Sequence, residues 1–289
     1  MKWAELSQHE FASAIEKTDK LCIVPVGCFE MHGEHLPVAT DVMEAEAISA
    51  LAAEMEPACV FPAFQFGDVC GLYNWKGSVV LEPTMMLKLL ENYCGEIART
   101  GFDKIVLMNF HGGNTSFLGY FTRALAYEKR DYTVLQLSPY QQEKTSFAYI
   151  HQMIREKGIE YYPELAPEDA ETIRIFIEEE KIDGHGGLQE TCLMLAIRPD
   201  LVHLERMSDV SGLPTHKADK LYAAGFGEPL WHINFPNSYG GHDPVGASAR
   251  IGKLLLRLNA EVVANACKVF KEEYSVLKET REHIDSFRV

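Results

Sequence analysis

The sequence lacks the features that define several protein classes. It contains no run of about 18 apolar residues, so no membrane-spanning helix is expected. Basic residues are few, with 27 Lys and Arg against 42 Asp and Glu, which gives a formal net charge of −15. Nucleic acids and anionic membranes are bound through clustered Lys and Arg, so we expect neither as a partner. A small-molecule substrate is the remaining expectation.

The seven cysteines do not form a disulfide framework or a zinc ribbon. They are odd in number, scattered, and never spaced as CxxC. Reduced thiols of this kind are typical of cytoplasmic proteins. The opening residues, MKWAELSQHEFASAIEK, carry charges and lack the apolar core of a signal peptide. We therefore expect a cytoplasmic protein.

Apolar runs and helical patterns alternate along the chain. Strands are predicted over four runs, at residues 21–27, 58–67, 104–110 and 132–138. Between the second and third, apolar residues at helical spacing predict a helix with Thr84 as N-cap and Gly101 just past its end. This alternation predicts an α/β protein with a mostly parallel sheet covered on both faces. Ligands of such sheets bind beyond the carboxyl ends of the strands.

A chain of 289 residues, 47% of them hydrophobic, can form either one large α/β domain or two smaller ones, and we expect one domain over residues 1–289. The charged, partly helical segment 140–183 is predicted to be an inserted lid or an oligomer contact. A long amphipathic helix near the end carries one apolar stripe, formed by Ile251, Leu255, Leu258 and Val262.

The first chemically unusual segment is VPVGCFEMHGEHLPVATD. Glu30 and His32 are two residues apart, so in an extended chain they point to the same side. They follow a predicted buried strand, and Asp41 follows a short loop that can fold back beside them. Carboxylate and imidazole groups together form a metal-ligand set, although the segment could also be an ordinary polar loop.

The second segment is MNFHGGNTS, after the third predicted strand. His111 is a possible ligand, and Gly112 and Gly113 permit close approach of a ligand to the backbone. Asn109 and Asn114 can orient neighbouring groups or water. An isolated HGG is more often a strand-to-helix turn with an incidental histidine.

The third segment is DGHGGLQETCLMLAIRPD. Glu190 begins an otherwise apolar helical stretch, where an ionised carboxylate is costly unless it is paired or binds a metal. His185 lies five residues earlier in a glycine turn. The alternative is a glutamate stabilised by the helix dipole, which needs no metal.

Together the segments supply ligands for two ions that share one carboxylate, namely Glu30, His32, Asp41, His111 and Glu190. Paired metals lower the pKa of a water between them and polarise a substrate oxygen. No cysteine is expected to contribute a thiolate, which favours zinc, manganese or iron(II).

The sequence resembles the creatininase family of metal-dependent amidohydrolases. The resemblance rests on EMHGEHLP at 30–37 with Thr40-Asp41, on NFHGGN at 109–114, and on HGG at 185–187 leading to Glu190. Weaker matches are WKGS at 75–78 and Asp243-Pro244. The resemblance to this family implies a three-layer α/β/α sandwich and a homo-oligomer, often a hexamer.

The resemblance also implies the roles of the site residues. One ion would be held by Glu30, Asp41 and His111, and the other by His32, Asp41 and Glu190, with Asp41 bridging. We predict His185 and Glu190 as catalytic residues. The predicted substrate-binding residues are Tyr73, Trp75, Gly112, Gly113 and Asn114.

This chain departs from the family pattern at two positions. Creatininase itself has a glutamate where this chain has Gly113, and many relatives have one where this chain has Leu188. Creatinine is therefore a poor candidate substrate, and we favour hydrolysis of another small, non-peptide C–N bond in a cyclic amide or formamide. The alternatives are hydrolysis or isomerisation of a cyclic ketone or sugar-like substrate, and a non-catalytic metal-binding protein.

Overall fold

In the computed structural model, which describes residues 1–69, 74–227 and 230–286, a four-stranded parallel sheet lies at the centre of the chain. Its strand order is β2-β1-β3-β4. The strands are β1 (Leu21–Val26), β2 (Cys59–Val60), β3 (Lys104–Asn109) and β4 (Thr133–Leu137). The α/β class with a parallel sheet is confirmed.

The pairing register brings the carboxyl ends of two strands together. β1 pairs with β3 from Leu21↔Lys104 to Val26↔Asn109. The segments that follow Val26 and Asn109 therefore leave the same edge of the sheet side by side. These are the segments that carry Glu30 and His111.

The predicted strand at 58–67 is wrong in extent. Only Cys59 and Val60 form a ladder with β1, and one further isolated bridge joins Phe64 to Val26. Pro62 lies between these two contacts. Proline has no backbone N–H to donate to a sheet, which accounts for the interruption.

Helices cover both faces of the sheet. In β1, Leu21 and Ile23 belong to one apolar core, whereas Cys22, Val24 and Val26 belong to the other. Alternate side chains of a strand point to opposite faces, so both faces of the sheet are buried and the three-layer α/β/α arrangement is confirmed.

The helices of the described residues are α1 (Phe11–Lys17), α2 (Thr40–Met55), α3 (Pro83–Thr100), α4 (Asn114–Ala124), α5 (Phe147–Lys157), α6 (Pro167–Glu178), α7 (Leu188–Ile197), α8 (Asp219–Ala223), α9 (Trp231–Asn234), α10 (Ala249–Glu272) and α11 (Tyr274–Ser286). None of them is long and apolar enough to span a membrane.

Helix α3 confirms the helix predicted before Gly101, but the N-cap prediction is wrong. Glu82, not Thr84, caps the helix: its carboxylate accepts hydrogen bonds from the backbone N–H groups of Thr84 and Met85 at 3.1 and 2.9 Å. Pro83 occupies the first helical position, where its missing N–H has no consequence. Gly101 ends the helix with a φ of 123°, as predicted.

The segment 140–183 packs into the main fold. Side chains from its helices α5 and α6, including Phe147, Ile150, Ile173 and Phe176, belong to the same apolar core as α10. The segment therefore forms part of one helical layer. Its role as a lid or an oligomer contact stays a prediction.

Candidate metal centre

The three segments converge at the carboxyl end of the sheet. Glu30 follows β1, His111 follows β3, and the first turns of α2 and α7 carry Asp41 and Glu190. Gly27 makes this convergence possible, because a Cβ on this residue would lie 2.7 Å from the backbone nitrogen of Val42. Glycine lets the start of α2 pack directly on the end of β1.

The first group of possible ligands surrounds His111. Its Nδ1 lies 3.0 Å from Oε1 of Glu30 and 3.0 Å from Oδ2 of Asp41. All three side chains are at most 7% exposed. One nitrogen and two carboxylate oxygens thus meet in a space from which water is largely excluded.

The second group surrounds His32, on the other side of Asp41. Its Nε2 lies 3.1 Å from Oδ1 of Asp41 and 3.7 Å from Oε2 of Glu190. The two oxygens of Asp41 therefore face different groups. This is the arrangement that a carboxylate shared by two cations requires.

The histidine rings are oriented by backbone carbonyls on their outer sides. Nε2 of His111 lies 2.8 Å from the carbonyl of Asp68, Nδ1 of His32 lies 3.1 Å from that of Glu30, and Nε2 of His185 lies 2.7 Å from that of Met31. A carbonyl only accepts, so each outer nitrogen carries the proton and donates it. The inner nitrogens are left to face the carboxylates, as in metal-binding histidines.

In the metal-free site, the buried carboxylates favour a positive charge at the centre of the site. Burial alone would lower the pKa of His32, but the carboxylates of Asp41, Glu190 and Glu30 raise it to about 10. Burial likewise opposes charging of His111, while Cys28, Glu30 and Asp41 raise its pKa well above the ordinary value. Protons on these rings thus balance the carboxylates.

The residues present fit a divalent cation. Oε1 of Glu30 is buried and accepts no well-oriented hydrogen bond, and its charge is balanced by the nearby ring of His111 at 3.0 Å, a place that a metal cation can take. The inner nitrogens and the carboxylates form the mixed nitrogen and oxygen set that zinc, manganese and iron bind.

His185 and Glu190 lie on the open side of the site. Their side chains are 14% and 21% exposed, whereas His32 is fully buried. Burial and the neighbouring His32 lower the pKa of His185 to about 4, so the ring is neutral near pH 7. Burial raises the pKa of Glu190 to about 7 despite the opposing effect of His32. Among the described residues named above for this site, these two side chains are the most exposed.

His185 faces both candidate groups. Its Nδ1 lies 3.5 Å from Oε1 of Glu30, and its ring centroid lies 4.0 Å from that of His32. Trp231 of α9, which the sequence analysis did not single out, packs edge-on against His185 at 5.4 Å between ring centroids. No spacing signal links these two residues, since they are far apart in the chain.

Cys28 corrects one prediction. From the sequence, no cysteine is expected to contribute a thiolate to the site, but Sγ of Cys28 lies among the ligand groups and donates a hydrogen bond to Oδ2 of Asp41 at 3.0 Å. Donor atoms of Cys28, Glu30, Asp41 and His111 all lie within 4.8 Å of one another. The missed signal was the alternation of Cys28, Glu30 and His32, which puts all three on one side of an extended chain.

Two asparagines hold the His111 loop, as the sequence suggested. The carboxamide of Asn109 donates to the carbonyl of His111 at 2.9 Å and accepts from its N–H at 3.1 Å. Asn114 donates to Asn109 at 3.1 Å and accepts from the N–H of Asp68 at 2.8 Å. The buried carboxamide of Asn114 thus positions the loop; a contact with substrate stays a prediction.

The remaining predicted substrate-binding residues lie at different places in the chain's structure. Gly112 and Gly113 are exposed beside His111, and a Cβ on Gly113 would lie 2.6 Å from Nε2 of His111. Trp75 is half-buried in the turn before residue 79, and Tyr73 lies outside the described residues. Substrate contact by Trp75, Gly112 and Gly113 stays a prediction.

Comparisons with known proteins identify a matching family and several relatives. A family model described as "Creatininase: Creatinine amidohydrolase" matches residues 4–267. Creatinine amidohydrolase of Pseudomonas putida is 31% identical over 215 residues, which cover 71% of this chain and 75% of that protein. A mycofactocin precursor peptide peptidase of Mycolicibacterium smegmatis is 33% identical over 117 residues, 38% of this chain and 47% of the relative.

Solved structures of creatininases match this chain over nearly its whole length. A creatinine amidohydrolase (creatininase) structure matches with a TM-score of 0.65 at 25% identity and covers 94% of this chain and 97% of that one. A structure described as "Creatininase Mn" matches with a TM-score of 0.66 at 25% identity, over 94% and 98% of the two chains.

Proposed function

Because the chain belongs to the creatininase family of metal-dependent amidohydrolases, we propose that it binds two divalent metal ions and hydrolyses a small, non-peptide C–N bond. The bond would lie in a cyclic amide or a formamide. The observation that carries this proposal is the position of Asp41, whose two carboxylate oxygens lie 3.0 and 3.1 Å from imidazole nitrogens of two separate ligand groups.

Glu30, Asp41 and His111 would hold one ion, and His32, Asp41 and Glu190 the other. Zinc, manganese and iron(II) all suit these donors. When bound, such ions supply Lewis-acid polarisation of a carbonyl oxygen and lower the pKa of water. The burial of Asp41 and His32 supports this role, because a water-poor site strengthens every electrostatic interaction within it.

The chain itself supplies orientation and proton transfer. Nε2 of His185 donates to the carbonyl of Met31, so its Nδ1 carries a lone pair directed toward Glu30 and the open side. This nitrogen can accept a proton from the attacking water and give it to the leaving nitrogen. Glu190 is held by the N–H of Gly186 at 2.5 Å, which fixes its carboxylate beside His32.

The His111 loop supports a substrate other than creatinine. Its Gly113 replaces the glutamate that creatininase carries there, and a Cβ at this position would lie 2.5 Å from the carbonyl of Asp68. The loop therefore cannot accept a side chain without moving that carbonyl, which orients His111.

We further propose a cytoplasmic homo-oligomer, with the hexamer implied by the sequence resemblance, and one domain in which residues 140–183 serve as a lid or subunit contact. The free, buried cysteines of the described residues support a reducing compartment. Sedimentation velocity of the full chain distinguishes a hexamer from smaller assemblies.

A substrate panel tests the proposed reaction. Metal-loaded protein is incubated with creatinine, several lactams, formamides and cyclic ketones, beside a Glu190→Gln variant. We expect turnover of a lactam or a formamide by the wild type and its loss in the variant. Turnover of cyclic ketones alone would instead show that the site cleaves or rearranges carbon–carbon bonds.

A further inference from the structure

The environment of Cys28 differs from that of the other described cysteines. Cys22, Cys59 and Cys94 belong to one apolar core, and Cys192 and Cys267 belong to the other. Cys28 is equally buried, at 0% exposure, but belongs to neither core. A buried thiol is normally a small apolar side chain, so its placement among ionisable groups needs another explanation.

The neighbours of Cys28 are metal-ligand groups. Its Sγ lies 3.0 Å from Oδ2 of Asp41, and its donor atom shares a 4.8 Å cluster with those of Glu30, Asp41 and His111. Two donors of one tetrahedral zinc ion would lie about 3.5 Å apart. Oε1 of Glu30 is buried in the same cluster and accepts no well-oriented hydrogen bond; it lies 3.0 Å from Nδ1 of His111, so a cation bound by both atoms would sit beside Cys28.

We propose that Cys28 is the fourth protein ligand of the ion held by Glu30, Asp41 and His111. This inference rests on the proposed two-metal function and adds a soft sulfur donor to one of its two positions. When the sulfur–metal bond forms, the S–H bond breaks and the proton leaves to solvent, with no change of oxidation state. Among the described residues, the second group, which contains His32, Asp41 and Glu190, includes no thiol.

Charge balance supports the thiolate form. Two divalent ions bring four positive charges into a site in which Glu30, His32, Asp41 and His111 are at most 7% exposed. The carboxylates of Glu30, Asp41 and Glu190 supply three negative charges, and a Cys28 thiolate supplies the fourth. Uncompensated charge is costly in such surroundings, so the thiolate stabilises the fully loaded site.

The consequence is a difference between the two metal positions. Thiolate ligands favour zinc, whereas carboxylate and water ligands suit manganese and magnesium. The position beside Cys28 should therefore select zinc or cobalt over manganese. The position beside Glu190, with one nitrogen and two carboxylates, should accept manganese more readily.

Cobalt substitution tests the proposal through a spectroscopic signal. The metal-free protein is loaded with two equivalents of Co²⁺, and the near-ultraviolet band of thiolate-to-cobalt charge transfer is recorded. We expect the band in the wild type and its absence in Cys28→Ser, whose hydroxyl can still donate to Asp41. The matched control is Cys70→Ser, which removes the one cysteine outside the described residues and should keep the band.

Metal competition gives a second readout. We expect the preference for zinc over manganese to fall by about 10- to 100-fold or more in Cys28→Ser, since even indirect ligand partners have effects of this size. The control variant should keep the wild-type preference. If Cys28→Ser fails to fold, the Cys70→Ser spectrum decides, because the other described cysteines lie in apolar cores.

The outcomes separate the two proposals. Two bound cobalt ions without a charge-transfer band would mean that Cys28 only donates a hydrogen bond to Asp41, which overturns this inference and leaves the proposed function intact. Failure to bind two metal ions under any loading condition would overturn both.

Discussion

Replacement of Asp41 is the most direct test of the two-metal site. Its carboxylate is 1% exposed, and each oxygen faces a different imidazole, at 3.0 Å for His111 and 3.1 Å for His32. If both ions share this carboxylate, Asp41→Ala must weaken both at once. Asp41→Asn keeps the shape of the side chain and removes its charge, so it separates loss of charge from loss of packing.

The expected size follows from the burial of the site. Removal of one partner from a buried, charged contact costs about 3–5 kcal/mol. At about 1.4 kcal/mol for each factor of ten, this loss lowers the affinity for each ion by roughly 100- to 5,000-fold. Such a loss would leave the purified variant with few bound ions after dialysis.

The assay is metal content per chain by elemental analysis, followed by titration of the metal-free protein. Glu46→Ala is the matched control, because Glu46 lies on the same helix α2 and is exposed. We expect it to retain two ions. Loss of a single ion in Asp41→Ala would refute the shared carboxylate, and full retention would refute the site itself.

The remaining predictions concern the proton-transfer residue, the loop and the pH dependence. His185→Ala should keep both ions and lose about 10²- to 10⁴-fold in kcat; an unchanged rate would exclude proton transfer by this ring. Gly113→Ala should displace His111 and reduce metal content, whereas Gly112→Ala, where a Cβ meets open space, should not; equal metal content in both would contradict the crowding argument. Because the pKa of His32 is raised in the folded state, the protonated ring stabilises the metal-free fold. This contribution is complete below about pH 6.5. That stability is lost as pH rises through about 10, so thermal melts of metal-free protein should show a falling Tm over this range; a constant Tm would contradict it.

The sequence predicted the proximity of Glu30 and His111 better than the limits of the peripheral strand β2. Glu30 and His111 each follow a run of buried strand residues, and parallel strands end at one edge of a sheet, so their proximity followed from local pattern. The limits of β2 did not follow from the local pattern, because Pro62 interrupts an otherwise apolar run.

The position of Glu190 depends on packing between distant helices. Helix α7 lies against α10 so closely that a Cβ on Gly252 would be 1.8 Å from the carbonyl oxygen of Cys192. Nothing in the sequence near Glu190 specifies that contact. The role of Cys28 is not visible in the spacing between cysteines for a different reason: its neighbours are carboxylates and an imidazole, not other thiols.

Among the described residues, the site opens toward solvent at His185 and Glu190, which form an entrance. Metal ions, chelators and substrate that enter there pass His185 and Glu190, because the other described ligands, Glu30, His32, Asp41 and His111, are buried. A substrate seated at this entrance would also close the exit for the ions. Occupied enzyme should therefore hold its metals longer than resting enzyme, and scarcity of metal would affect the protein most when its substrate is absent.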